Sequence, residues 1–362
     1  MASTVFFTGF PGFLGRELLP RVLKRSDHRA VCLVQERYLG DAEKARAAIE
    51  REHDLKDRIE LVVGDITQPD LGLGTRLAEL AKDTIEVYHL AAVYDLAVGR
   101  DLAMRVNVDG TRHVLAFCER CPLLRRHQYV STCYVSGRYD GVFRESDLER
   151  GQPFNNFYEE TKHLAEIEVR RQMHRIPTTI YRPSIVVGDS ATGETQKYDG
   201  PYFAIRYVLR QKTPFVLMPL VADPNETRSN VVPRDFVVDA ITHLSGVLKS
   251  TGKTYALADP SPLSMAELID LMERETKKKL IRVRLPLALA KRAIDDVPGV
   301  GRFFGFPSES VDYFAHPTSY ATENAQADLA GSGVSVPNFR TYFGKLVSYV
   351  RAHPDVPSNA MV

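Results

Sequence analysis

The sequence predicts an α/β fold: a doubly wound parallel sheet with helices on both faces, followed by a smaller, mostly helical C-terminal region. Three observations lead to that expectation. Across residues 3–190, short runs of β-branched and aromatic side chains alternate with segments of helical periodicity, as successive strand–helix–strand crossovers require. The first handover from strand to helix is marked by the glycine-rich stretch Thr8-Gly9-Phe10-Pro11-Gly12-Phe13-Leu14-Gly15. Polar residues recur just beyond later apolar runs, where the carboxyl ends of the strands of such a sheet should gather.

Taken in order, strands are expected over 4–8, 30–35, 59–63, 85–90, 128–131 and 178–181, and helices over 13–25, 41–52, 73–82, 102–120 and 157–174. Residues 201–221 read as an apolar helix followed by a proline-bounded extended piece, either packed on the sheet or forming the wall of an elongated apolar pocket. Residues 230–240 read as a return to the sheet body, and 254–258 as one more strand. Pro260 and Pro262 break the chain, and Ser264 followed by Glu267 is a capping-box signature for the next helix. From 273 to 292 basic residues interleave with leucines, which fits a solvated helix end followed by a strand, or a surface that touches a membrane or a carrier-borne group. Residues 299–307 read as a loop whose Phe303, Phe304 and Phe306 close the pocket, and 339–352 fit an amphipathic helix.

Composition limits the functional classes. A chain of 362 residues, 44% hydrophobic and 26% charged, suffices for one large domain or a domain with an appendage around a packed core. With 47 basic and 46 acidic side chains the net charge is +1, which provides no long-range field for a polyanion and argues against nucleic acid. No run approaches the ~20 apolar residues of a membrane span, and no basic leader precedes Val5. The expectation is a soluble, cytoplasmic protein, with peripheral membrane contact and a homo-oligomer both compatible. Of Cys32, Cys118, Cys121 and Cys133, the middle two form a CxxC pair with no second pair to complete a zinc site. No metal is expected, and free thiols near the end of a packed helix are preferred to a redox pair.

The glycine stretch predicts a dinucleotide site. Gly9, Gly12 and Gly15 serve a tight turn, close approach of backbone to a pyrophosphate, and close helix-on-strand packing, with Phe10, Phe13 and Leu14 completing the cradle. The helix that follows points unpaired N–H groups and a partial positive charge at the phosphates. About twenty residues on, where the ribose 2′ position is expected, Gln35-Glu36-Arg37 lacks a strand-end acid. Arg37 suits a 2′-phosphate, so NADP is favoured over NAD, with NADPH as the reductant; Glu36 turned inward onto ribose hydroxyls is the alternative. Asp65 and Ile66 follow the third strand, Asp65 as acceptor for an adenine amino group, and the small pair Ala91 and Ala92 lets a flat cofactor lie close to the backbone. His89 receives no role.

The fifth strand ends in Val130-Ser131-Thr132-Cys133-Tyr134-Val135-Ser136-Gly137, which places hydroxyls at the carboxyl edge of the sheet. Further on, Tyr158 and Lys162 stand four apart and share one face of a helix. A phenol with a pKa of roughly 10 is a poor proton donor at neutral pH, and a nearby ammonium draws that value toward the working range. Thr132, opposite, hydrogen-bonds a carbonyl oxygen on which negative charge develops. Asn107, in a helix interior, competes with its own backbone for hydrogen bonds and marks a held water or a local kink beside the site.

The ordered set TGFPGFLG, GDI, HLAA, NVDGT, STCYVSG and YEETK resembles the extended short-chain dehydrogenase/reductases over roughly residues 4–260. That resemblance implies a Rossmann fold and a catalytic set of Thr132 rather than Ser131, Tyr158, Lys162 and Asn107, with Lys162 also holding the nicotinamide ribose. The block 181–194 is similar to the branch that includes fatty acyl-CoA reductases and the thioester-reductase domains of carboxylic acid reductases and peptide synthetases. It implies that Pro183, Ser184 and Ile185 border the nicotinamide and that a substrate-binding region follows. Residues 1–190, with 226–260 returning, are then the dinucleotide-binding domain, and 191–225 with 261–362 the substrate-binding region. The implied activity is NAD(P)H-dependent reduction of an acyl thioester, acyl-CoA or carrier-bound, or of the derived aldehyde, within lipid metabolism. Two rivals stand beside it: a dehydrogenase or epimerase of a sugar nucleotide or sterol-like alcohol, and a cofactor-binding scaffold or redox sensor without turnover.

Overall fold

The computed structural model describes residues 3–297 and 308–358, so Phe303, Phe304 and Phe306 lie outside the described residues. The chain opens with β1 (Thr4–Thr8), α1 (Gly15–Leu23), β2 (Arg29–Val34), α2 (Leu39–His53), β3 (Ile59–Val63), α3 (Arg76–Asp83) and β4 (Thr84–His89). It continues through α4 (Arg100–Ala103), a π-helical turn (Met104–Asp109), α5 (Gly110–Glu119), β5 (Arg126–Val130), β6 (Gly141–Phe143), α6 (Phe157–Gln172), β7 (Thr178–Pro183) and β8 (Ile185–Val187). The remainder comprises α7 (Pro201–Arg210), β9 (Phe215–Leu220), β10 (Val231–Pro233), α8 (Arg234–Gly246), β11 (Thr254–Leu257), α9 (Met265–Thr276), β12 (Lys279–Arg284), α10 (Leu287–Asp296), β13 (Thr318–Tyr320), α11 (Glu323–Leu329) and α12 (Phe339–Ala352).

Seven strands form one parallel sheet in the order β11-β7-β5-β4-β1-β2-β3. The six strands expected before residue 190 are all in it, and β11 adds the far edge. Side chains alternate across a strand, so Val5 and Phe7 of β1 enter one core while Phe6 enters the other. The first core is covered by α1, α2, α8 and α11, the second by α3, α5 and α6. Because both faces are covered, β1 is buried at every position and reads as a continuous apolar run rather than an alternating one. Phe7 stacks on Tyr88 of β4 at 4.6 Å between ring centroids; truncating it to alanine should cost about 3–5 kcal/mol.

A third core joins α7, α9 and α12 with the two-stranded pair β9–β12. The run 273–292 resolves into the end of α9, then β12 and α10, the helix-then-strand alternative with a further helix. Ser264 caps α9 as its sequence foretold: its hydroxyl accepts from the Glu267 amide at 3.2 Å, and the Glu267 carboxylate accepts from the Ser264 amide at 2.8 Å. Among the described residues no helix is long and apolar enough to cross a membrane, and no three His, Cys, Asp or Glu side chains group to hold a metal. All four cysteines are free and buried.

Strand order reverses between β1 and β4, which leaves a crevice at their carboxyl ends.

Candidate active site

That crevice opens into a cavity of about 1070 Å³. At one end lies the glycine turn. Gly9 has φ +86°, and a Cβ built on it would lie 2.7 Å from the Ala91 nitrogen. A Cβ on Gly12 or Gly15 would meet the Gly9 carbonyl oxygen at 2.9 or 2.5 Å. No side chain caps the start of α1; the Arg16 and Glu17 amides donate back to the Gly12 and Leu14 carbonyls, which leaves the N–H groups just ahead of them for an anion. Thr8 fixes the facing wall: its hydroxyl accepts from the Ala91 amide at 3.2 Å and pairs with His89 Nδ1 at 2.8 Å. His89 Nε2 reaches the Thr111 hydroxyl at 3.1 Å, and burial drives its pKa well below the ordinary value, so it packs as a neutral ring.

Gly9, Phe10, Gly12, Phe13, Leu14, Gly15, Arg37, Asp65, Ile66, Ala91, Ala92, Pro183, Ser184 and Ile185 all line this one cavity. At its outer end Arg37 donates to the Gln35 side-chain oxygen from Nε at 2.9 Å and from Nη2 at 2.7 Å, and Gln35 in turn donates to Asp65 at 3.0 Å. The other Asp65 oxygen accepts from the Thr67 amide at 2.8 Å. Glu36 points to solvent and is not part of the lining, so the inward-turned alternative is not adopted. The Ser184 hydroxyl is buried in the cavity wall with no hydrogen-bond partner, an arrangement that a polar ligand atom satisfies. Turn, open helix end, guanidinium and orphaned hydroxyl fit a nicotinamide dinucleotide.

Thr132, Tyr158 and Lys162 line the same cavity. Thr132 lies two residues beyond β5 and accepts from the Tyr134 amide at 3.2 Å while its hydroxyl donates to the Pro183 carbonyl at 3.4 Å. The neighbouring Ser131 hydroxyl is occupied elsewhere, donating to Glu166 at 2.7 Å. Tyr158 sits in the first turn of α6, which Asn156 caps by accepting from the Glu159 amide at 3.0 Å. Burial pushes the Tyr158 phenol up to about 12, with hydrogen bonding to Thr132 working in the opposite direction. One turn along, the Lys162 ammonium donates to the Val130 carbonyl at 2.8 Å and the Tyr129 hydroxyl at 3.2 Å, and burial takes it down to about 8. The expected pKa relation is therefore corrected. Lys162 is tied to β5, and desolvation of the phenol outweighs any charge beside it.

Asn107 is the one predicted residue that does not line the cavity. Its side-chain oxygen accepts from the Val93 amide at 2.9 Å, and its nitrogen donates to the Val93 carbonyl and the Thr161 hydroxyl, each at 3.0 Å. The kink it signalled is the π turn between α4 and α5. Asn107 thus clamps the loop after β4 to α6 and belongs to the support of the site, not to the group of reacting side chains.

Several lining residues carried no recognised signal in the sequence. Lys197 pairs with Asp199 at 2.9 Å and lies 4.4 Å from the Tyr94 ring centroid. Tyr94 lies in the segment following a strand, where the strand-end rule should have drawn attention. Tyr313 accepts from Asn156 at 3.1 Å and packs edge-on against Tyr134 at 4.8 Å; it arrives from a distant segment with no motif. Beyond this group the cavity becomes apolar, bounded by α7, β9, α9, α10 and α12 through residues such as Phe203, Met218, Leu268, Ile294 and Phe343.

The doubly wound sheet, its glycine turn, and a tyrosine and lysine of one helix at the same cavity define an extended short-chain dehydrogenase/reductase. Residues 7–241 match a family model described as male sterility protein, and the chain belongs to that family. It is 29% identical over 289 residues to a linear gramicidin synthase polypeptide of Brevibacillus parabrevis, covering 75% of this chain and 5% of that protein. It is 25% identical over 287 residues to aldehyde reductase lnbA of Aspergillus flavus, covering 74% of this chain and 28% of that protein. Among solved structures, the terminal R domain from the myxalamid PKS-NRPS biosynthetic pathway superposes with a TM-score of 0.82 at 25% identity, over 99% of this chain and 93% of that one. The chain spans less than a third of the length of either of the two curated relatives.

Proposed function

We propose that the protein uses NADPH to reduce an acyl thioester, acyl-CoA or carrier-bound, to the aldehyde, with Thr132, Tyr158 and Lys162 as catalytic residues. The observation behind this reading is that these three side chains line one cavity together with the residues of the dinucleotide cradle and of the apolar arm. Held by residues 9–15, Arg37, Asp65, Ile66, Ala91, Ala92 and 183–185, a reduced nicotinamide dinucleotide supplies hydride for the carbonyl carbon. Thr132 and Tyr158 hold the carbonyl oxygen, where negative charge collects, and stabilise it by hydrogen bonds. Tyr158 retains its proton at neutral pH because burial keeps its pKa high, and it gives that proton to the oxyanion. Lys162 provides the positive charge that opposes the phenolate left behind. The resulting hemithioacetal then releases the thiol. Arg37 reads the 2′-phosphate, with Glu36 turned away. Residues 1–190 with 226–260 form the cofactor half in this reading, and 191–225 with 261–362 the substrate half.

Likeness to a gramicidin synthase, an aldehyde reductase and an R domain supports the assignment. A panel of acyl thioesters incubated with C4-deuterated NADPH tests it. Deuterium at the former carbonyl carbon, with one equivalent of free thiol, is expected. No NADPH consumption with any thioester or long-chain aldehyde overturns it.

A further inference from the structure

Two cavity-lining serines, Ser184 and Ser310, carry buried hydroxyls with no hydrogen-bond partner among the described residues. Ser184 lies just beyond β7 and belongs to the dinucleotide cradle. Ser310 belongs to the 3-10 segment Ser308–Ala315 and is 5% exposed. Side chains three apart on such a segment eclipse one another, so Ser310 shares a face with Tyr313 and Val311 with Phe314. All four line the cavity. The remaining face is turned away, where Asp312 pairs with Lys291 of α10 at 2.6 Å. That pair fixes the segment against α10, whose own part of the cavity lining is Ala290, Ala293 and Ile294.

Apart from Ser310 and Tyr313, the lining that this segment and α10 contribute is hydrocarbon. Tyr313, about 6 Å along the segment, is already engaged, accepting from Asn156 at the cap of α6. Ser310 therefore stands in the apolar arm, one turn from the contact with the helix that carries Tyr158. A buried hydroxyl without a partner is destabilising, and alanine would fill the same place in an apolar wall without that cost. A plain hydrocarbon chain in the arm leaves the hydroxyl unpaired, whereas an oxygen on the chain pairs with it. A site with such a group discriminates strongly against the analogue that lacks the oxygen. We propose that Ser310 is a specificity residue that hydrogen-bonds a hydroxyl or carbonyl oxygen borne by the acyl part of the substrate. The arm then selects an oxygen-bearing acyl group over the unsubstituted chain. This inference rests on the thioester reading of the same cavity and narrows its substrate class.

Acyl thioesters of one chain length, unsubstituted or carrying a single hydroxyl or oxo group at successive carbons, test it with NADPH. At least one oxygen-bearing thioester should exceed the unsubstituted one in kcat/KM by about tenfold or more. Ser310→Ala should bring that ratio close to one, and Ser310→Thr, which keeps a hydroxyl, should retain it. Thioether analogues of the same compounds, which cannot be reduced, should show the same ratio in binding affinity by calorimetry. Equal kcat/KM across the panel, or a preference that survives in Ser310→Ala, overturns the inference and leaves the thioester reading standing. Reduction of no thioester overturns that reading instead, and the thioethers then decide this one: equal affinity for all of them, or binding of none, overturns it.

Discussion

Two titrating side chains of α6 divide the pH behaviour between them. Burial holds the Tyr158 phenol at about 12, so it stays protonated throughout the usual assay range. Lys162, lowered to about 8 by burial, loses its charge first. Turnover should therefore fall as pH rises through about 8, and in Lys162→Arg that decline should disappear, because the guanidinium stays charged. The sign for stability is opposite. The folded pKa of Lys162 lies below its ordinary value of 10.5, so the fold penalises the charged form, and stability should rise between pH 8 and 10.5 in a way that Lys162→Met lacks. Arg37→Ala should reduce the preference for NADPH over NADH by about 10–100-fold, the worth of hydrogen bonds to a charged group, as read by titrating each cofactor. Thr132 over Ser131 came from the resemblance and is consistent with Ser131 being tied to Glu166. The altered ionisation of Tyr158 was not legible, because desolvation depends on neighbours that only the fold assembles.

At the scale of elements, α6 is anchored from below by a buried pair. Arg182 donates to Glu166 from Nη2 at 2.6 Å and from Nε at 3.0 Å. Burial alone would raise the Glu166 pKa, but Arg182, then Arg170 and Ser131, bring it down to about 2 from an ordinary 4.5. The contribution of this pair is complete above about pH 4.5 and is lost as pH falls toward 2. Glu166→Gln leaves Arg182 uncompensated and should cost about 3–5 kcal/mol at neutral pH by urea denaturation, with the difference shrinking in acid. Asn107→Ala strands the Val93 amide and carbonyl and should cost about 1–3 kcal/mol. If Asn107 acts by holding the loop after β4 against α6, the variant raises KM more than it lowers kcat. The strands and helices of the first 190 residues were legible because buried parallel strands are short apolar runs separated by longer amphipathic segments. Residues 273–292 were ambiguous, since a helix end, a six-residue strand and the first part of a further helix fall within a single basic, leucine-rich stretch.

At the scale of the whole molecule, one cavity links a dinucleotide cradle written in consecutive residues to an apolar arm assembled from five distant elements. The cradle was legible because close backbone approach demands glycine at fixed spacing, as the short Cβ distances at Gly9, Gly12 and Gly15 bear out. The polar residues of the arm, Lys197, Asp199 and Tyr313, were not, because they reach the site only through tertiary packing. The central claim is that Tyr158 acts on a carbonyl in this cavity. The most direct measurement is a single turnover, in which protein preloaded with NADPH is mixed with acyl thioester and oxidation of the bound cofactor is followed for the unaltered chain and for Tyr158→Phe. The account predicts equal NADPH affinity and oxidation at least about hundredfold slower in the variant. Oxidation at an unchanged rate in Tyr158→Phe would contradict it.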